Sequence, residues 1–186
     1  MATDDDLDEA ALVASAKAGS QGAFDHLIGR HAPRLLSLAR RLLGSAADAE
    51  DAVQNALASA WLGLHRFEDG KPLGPWLTTI TVNKCRDALR RQRFARLLSR
   101  RKDEPELLIA DTAPGQEREI AGRQLLERVE REIARLPASL REPFILVTFD
   151  GRSQSEAAQI LGMSEKAVET RIYRARARLK EKFAER

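Results

Sequence analysis

Between residues 20 and 44, Phe24, Leu27, Ile28, Leu35, Leu38 and Leu42 recur at three-, four- and seven-residue steps, the spacing of an amphipathic helix. Gly44 closes this run, and Pro33 inside it predicts a kink or break near Ala32. The stretch SAADAEDAVQNALASAWLGL predicts a second helix, with Val53, Leu57, Ala60, Trp61 and Leu64 on one stripe. Asp48, Glu50 and Asp51 fall in its first turn, where the helix dipole favours negative charge. FEDGKPLGP gathers Gly70, Pro72, Gly74 and Pro75 and predicts a loop. Pro75 then suits the first position of a third helix, PWLTTITVNKCRDALRRQRF.

Past Arg101 the period is lost. KDEPELLIADTAPGQE holds two prolines and a glycine and predicts a linker. A further helix begins near Glu117, with Leu125, Val129, Ile133 and Leu136 as its apolar positions and Pro137 as its end. ASLREPFILVTFDG predicts a short helix that buries Phe144, Ile145 and Val147, with Pro143 early enough to be tolerated. No stretch alternates with period two for long, so the expected fold is all-α. Its divisions are an acidic N-terminal segment (1–19), a helical domain (20–99), a flexible linker (100–118) and a second helical domain (119–186).

The most specific local pattern is SQSEAAQILGMSEKAVETRIYRARARLKEKF, which has the layout of a helix-turn-helix. Ser153 or Ser155 caps the first helix, with Glu156 in its first turn. Ala157 and Ala158 are small enough for two helices to cross closely, and Gly162 suits a turn that needs positive φ. Ser164 caps the second helix, whose buried stripe is Val168, Ile172, Ala175, Leu179 and Phe183. Glu165, Lys166, Glu169, Thr170, Arg171, Tyr173 and Arg174 are left for a DNA groove.

Charge sharpens this picture through its distribution. Lys plus Arg number 31 and Asp plus Glu 28, for a net +3. Basic blocks at 84–102 and from 164 onward flank an acidic stretch at 103–119, which points to two contacts with a polyanion. Asp4, Asp5 and Asp6 read as a solvated terminal run. His26, His31 and His65 lack ligand spacing, and Cys85 is the single cysteine, so neither a metal site nor a disulfide framework is expected. There is no phosphate-binding loop, dinucleotide fingerprint or nucleophile elbow, so no catalytic residue and no cofactor is expected. The acidic start is unlike a secretory signal, and no apolar run is long enough for a membrane span. A cytoplasmic protein without membrane insertion is the expectation.

Three ordered segments resemble the extracytoplasmic-function sigma factors of bacterial RNA polymerase, from about Ser20 to Phe183. DAEDAVQNALASAW is similar to the family's D-x-E-D-x-x-Q-x-x-F-x-x-A-W segment of region 2.2, with Leu57 replacing the aromatic. PWLTTITVNKCRDALRRQR is similar to regions 2.3 and 2.4, and LPASLREPFILVTFDGRSQSEAAQILGMSEKAVETRIYRARARL to region 4. The resemblance implies core polymerase as partner, through the β′ clamp and β flap, with Asp48, Asp51, Gln54 and Asn55 facing the clamp. It implies capture of the separated −10 strand by the loop His65–Pro75 and by Phe67, Trp76, Thr79, Asn83, Lys84, Arg86, Arg90, Arg91 and Arg93. Trp76 is open to two readings, core or stacking platform. For the −35 duplex it implies Ser164, Lys166, Glu169, Thr170, Arg171, Tyr173, Arg174 and Arg178.

The resemblance also implies promoter DNA and an anti-sigma factor as partners, and no enzymatic activity. Two departures stand out: EDGKPLGPW where many relatives have a Gly-Arg-Ser-Phe-like stretch, and Glu169 where relatives often have Arg or Lys. Neither the captured base nor the −35 sequence is therefore carried over. The alternative function is a polymerase-independent helix-turn-helix regulator, which usually dimerises on a palindrome; no heptad pattern supplies the dimer helix.

Overall fold

The computed structural model describes residues 4–98 and 128–184, with helices and no strand among them. The expected linker at 100–118 and the helix start near Glu117 lie outside the described residues. The first half folds as α1 (Asp4–Lys17), α2 (Gln21–Leu43), α3 (Ala46–Gly63), a 3-10 turn (Leu64–Arg66) and α4 (Leu73–Leu98). The second half contains α5 (128–135), α6 (Ala138–Thr148), α7 (Gln154–Leu161) and α8 (Glu165–Ala184).

Helix α2 is the hub. It packs against α1, α3, α4 and α6, and Leu27, Leu35, Leu38, Ala39 and Leu42 are almost completely buried along it. Ser20 caps its start through the Ala23 amide, and Gly44 ends it at φ +71°. The break expected at Ala32 does not occur: α2 runs through Pro33. Pro33 is exposed, and burial of four leucines and an alanine around it offsets the ~3 kcal/mol that an internal proline costs. Pro143 likewise lies inside α6, beyond its first turn, and is fully buried.

Other expectations shift by smaller amounts. Helix α3 buries mainly alanine: Ala49, Ala52, Ala56 and Ala60 join Val53, while Leu57 and Trp61 are half-buried. Small residues on that stripe let α3 lie close against α2 and α4. Leu64 is buried, but in the 3-10 turn that follows. Helix α4 starts at Leu73, so Pro75 is its third residue, still within the turn whose amides have no helical partner. In α6 the buried residues are Phe144, Ile145 and Leu146, with Val147 half-exposed.

The acidic N-terminal segment contributes a helix to the fold. Helix α1 docks on α2 through Val13 and Ala16, which are 5% and 3% exposed. The two expected domains also touch: α6 lies against α2, α7 against α4, and one continuous buried cluster joins them.

Helix α7 opens with a reciprocal capping box. The Ser153 hydroxyl accepts the Glu156 amide at 3.1 Å, and the Glu156 carboxylate accepts the Ser153 amide at 2.8 Å. These bonds, backbone first, hold the Glu156 carboxyl below its ordinary pKa. A depressed carboxyl pKa contributes stability above the ordinary carboxylate range and loses it as pH falls through the folded-state value. Ser153→Ala is expected to cost about 1 kcal/mol. The penalty for Glu156→Ala should be present at pH 7 and fade on acidification, as read by denaturant melts across pH.

Candidate nucleic-acid interface

The turn between α7 and α8 is set by Gly162 at φ +66°, whose amide donates to the Ala158 and Gln159 carbonyls. Ser164 then caps α8 through the Ala167 amide at 3.2 Å. Val168, Ile172 and Ala175 are buried, with Leu179 and Phe183 partly covered. This orients α8 so that Ser164, Lys166, Glu169, Tyr173, Arg174 and Arg178 are exposed and Arg171 half-exposed. Tyr173 stands 75% exposed beside these cations.

Three of the expected groups are engaged within the helix. Lys166 pairs with Glu169 at 2.7 Å, and the Thr170 hydroxyl donates to the Lys166 carbonyl at 2.8 Å. The positive face is therefore centred on Arg171, Arg174 and Arg178 rather than on the first turn. At its far end, α8 is tied to α5: Arg128 lies over the Phe183 ring at 4.9 Å and donates to the Lys182 carbonyl.

On α3, Asp51, Gln54 and Asn55 are exposed together, and the Asn55 amide donates to the Asp51 carbonyl at 2.7 Å. Asp48 is only half-exposed and accepts from the Gln92 amide of α4 at 2.8 Å. Sequence reasoning missed how this face continues. Ala58 and Leu62 follow Asp51, Asn55 and Gln54 at three- and four-residue steps, and Leu62 is 74% exposed. Beside them, Phe24, Ile28, Leu57 and Trp61 line a shallow groove rimmed by Gln21 and Asp25. The signal was in the sequence: Leu62 falls off the apolar stripe that buries the rest of α3.

The residues that the resemblance assigns to −10 capture divide into four groups. Phe67 is 6% exposed and packs on half-buried Trp76 with ring centroids 5.2 Å apart, so both act as wall rather than open platform in this arrangement. The Thr79 hydroxyl donates to the Pro75 carbonyl at 3.0 Å. Asn83 is exposed, Lys84 half-exposed, and Arg86 donates to Asn83 at 3.3 Å. Arg90, Arg91 and Arg93 are exposed farther along α4, with Arg90 paired to Asp87 at 3.4 Å.

Arg86 also makes a fork with Glu142 of α6, at 3.0 and 2.6 Å. The hydrogen bond to Glu142 raises the Arg86 pKa, and the carboxylate is 10% exposed. A second polar contact joins the halves nearby. Asp150, 3% exposed, takes Arg34 of α2 at 2.5 Å and Arg152 at 3.1 Å. Arg34 also donates to the Thr78 hydroxyl and the Gly74 carbonyl of α4. Burial lowers the Arg34 pKa, opposed by the Asp150 charge. Arg41 of α2 lies 5.0 Å over the Phe149 ring. Sequence reasoning found none of these contacts; those of Arg34, Arg41 and Arg86 join residues far apart in the chain.

No group of His, Cys, Asp or Glu among the described residues is placed to hold a metal ion. No described helix is long and apolar enough to cross a membrane. Cys85 is 1% exposed, and burial together with the Glu142 charge pushes its thiol up to about 12.

Residues 27–95 match the family described as Sigma-70 region 2, and residues 126–179 that described as Sigma-70, region 4. The chain is 40% identical to the RNA polymerase sigma factor NccH of Alcaligenes xylosoxydans xylosoxydans over 95% of each. It is 36% identical to the ECF RNA polymerase sigma factor SigM of Mycobacterium tuberculosis, over 92% of this chain and 82% of that one. Its fold is similar to that of CnrH in complex with the cytosolic domain of CnrY, with a TM-score of 0.71, 33% identity, and 95% and 97% of the two chains covered. It is also similar to the sigma factor RpoE of Bartonella quintana in complex with the anti-sigma factor NepR, with a TM-score of 0.70, 28% identity, and 85% and 94% covered.

Asp150→Asn removes the one carboxylate that Arg34 and Arg152 share. We expect a loss of roughly 2–4 kcal/mol, discounted from a fully buried pair because Arg34 is partly solvated. Glu142→Gln should weaken the hold on Arg86, speed thiol labelling of Cys85 and raise the affinity of the free protein for single-stranded DNA. Unchanged DNA affinity would show that the fork does not restrain Arg86, and unchanged labelling that burial alone governs Cys85.

Proposed function

The chain belongs to the extracytoplasmic-function sigma-70 factors of RNA polymerase, and on that premise we propose how its two helical halves divide promoter recognition. The exposed face of α3 binds the β′ clamp, with Asp51, Gln54 and Asn55 as polar contacts, Asp48 at their edge, and Leu62 adding apolar area. The loop 67–72 and α4 take the separated −10 strand. Asn83 and Lys84 contact bases or sugar, Arg86, Arg90, Arg91 and Arg93 hold phosphates, and Trp76 with Phe67 forms the wall behind them. Helix α8 reads the −35 duplex through Arg171, Tyr173, Arg174 and Arg178 beside Ser164, Lys166, Glu169 and Thr170, while region 4 meets the β flap.

The observation that carries this reading is the pairing of a capped helix-turn-helix bearing an exposed arginine face with a separate exposed polar face on α3. A stand-alone regulator has no need of the second face. Within this reading the protein is a non-enzymatic initiation factor acting in the cytoplasm, as its membership of the sigma-factor family implies. Because RpoE is seen with the anti-sigma factor NepR, and CnrH with the cytosolic domain of CnrY, we extend control by an anti-sigma factor to this chain. Arg86 cannot fork with Glu142 and hold a phosphate in the same geometry. Strand capture through Arg86 therefore requires release of that contact.

Mixing the protein with sigma-free core RNA polymerase should give one-to-one co-elution in gel filtration. Asp51→Ala with Gln54→Ala should abolish co-elution and leave −35 duplex binding intact. Arg171→Ala with Arg174→Ala should do the reverse and reduce the salt slope of duplex binding by about 1–2. Failure to co-elute, together with dimeric binding to a palindromic duplex, would replace this reading with that of an independent regulator.

A further inference from the structure

We infer that α1 sets the conformation of the 67–72 loop, with Lys17 and Glu9 as positioning residues for recognition of the −10 strand. This rests on the proposal that the loop takes part in capturing that strand. Residues 68–72 are all exposed, between Phe67 and Leu73, which are 6% and 1% exposed. Within the loop, a bond from the Lys71 amide to the Glu68 carbonyl at 3.3 Å is joined by a solvated Lys71–Glu68 ion pair. Such a pair contributes little. Gly70, at φ +81°, adds backbone freedom of its own.

Both ends of the loop are instead tied to α1. Lys17 donates to the Phe67 carbonyl at 2.6 Å and pairs with Asp69 at 2.5 Å. The contact to the carbonyl is partly buried and charge-assisted, whereas Asp69 is 81% exposed. Glu9 accepts the Leu73 amide at 3.2 Å with one oxygen and meets His31 of α2 at 3.2 Å with the other. Helix α4 has Pro72 immediately before it, which offers no capping side chain, so a carboxylate from α1 serves its first amide.

Glu9 and Lys17 stand about 12 Å apart along α1 at 1.5 Å per residue. The helix therefore spans the loop as a strut, fixing where the chain leaves Phe67 and where it enters α4. Val13 and Ala16 already supply the apolar attachment of α1. Lys17 and Glu9 contribute what that attachment does not: direct bonds to backbone atoms at the loop's two ends. Pre-setting a short recognition loop reduces the ordering cost of each binding event and holds its groups in register with the bases.

The test uses the full chain on core polymerase, with promoters that differ only at single −10 bases. Open complex is read by permanganate reactivity. Lys17→Met and Glu9→Ala should each reduce discrimination between the best and the altered −10 sequences by roughly 5- to 20-fold. Co-elution with polymerase and −35 duplex affinity should stay within about twofold, and Lys17→Arg, which retains a cationic donor, should restore most of the discrimination. Where Lys17→Met does not fold, Asp69→Ala, at an exposed side chain, should give a smaller loss of the same kind.

Glu68→Ala and Lys71→Ala at the loop tip separate the two ideas. If they alter −10 discrimination while Lys17→Met and Glu9→Ala do not, the strut is overturned and the loop's role stands. If the tip variants change nothing, the loop's role falls and the strut with it. Loss of polymerase binding in parallel with discrimination, or no rescue by Lys17→Arg, would reduce α1 to a stabilising element.

Discussion

A carboxylate removed from water must find cations, and Asp150 does so with two guanidiniums from different parts of the chain. Arg34 reaches it from the hub helix and Arg152 from the start of the helix-turn-helix. Arg152 passes the constraint on to Glu156 at 3.3 Å, the same carboxylate that completes the capping box. Arg34 passes it the other way, to Thr78 and Gly74 at the start of α4. Gly74 is the point of closest approach: a Cβ there would meet Arg152 at 3.4 Å and His31 at 3.7 Å. One buried charge thereby couples the entry of α4, the hub helix and the capped start of α7.

The contacts between the halves differ in kind from those within them. Inside the first half, α2 presents almost fully buried leucines to its neighbours. Across the junction, the named contacts are two guanidinium–carboxylate sets and a cation over an aromatic ring, with Phe149 42% exposed. Such contacts are directional, and the more solvated of them, Arg86–Glu142, is sensitive to salt and open to exchange for another anion. Apolar burial holds each half together and continues across the junction, where polar pairing adds direction.

Much of this was legible in the sequence because it is local. Gly162, Ser153 with Glu156, Ser164 and the stripe Val168–Ile172–Ala175 each report a backbone need or a helical period within a few residues. Leu62 was legible in principle, as an apolar residue on the wrong face of α3. What was hidden is non-local. Among the described side chains of α1, Leu12, Val13 and Ala16 face the core behind an acidic start, a pattern too short to read as a packed helix until α2 is there to receive it. Pro33 reads as a break because propensity is a local cost, whereas the packing that overrides it comes from other helices. Arg34, Arg86, Glu142 and Asp150 look like solvated charges in one dimension and become paired only once the chain returns on itself.

The same arginines serve two masters in physical terms, and magnitudes decide what that means. A fork such as Arg86–Glu142 is strong in geometry, yet Arg86 is 33% exposed, so water already competes for it. A phosphate offers the guanidinium the same bidentate geometry as a carboxylate and releases counterions from the nucleic acid when it binds. Within the proposed function, Glu142 thus occupies the place a backbone phosphate would take, and exchange of one for the other has a small intrinsic cost. Asp150 is not exchangeable in this way: at 3% exposure it would be left buried without a partner, which costs far more than opening a solvated fork. If the two halves separate on polymerase, Asp150 must therefore keep Arg152 on its own side while Arg34 leaves. The loss is then shared between a pair that persists within α6–α7 and a cation that stays hydrogen-bonded to Thr78.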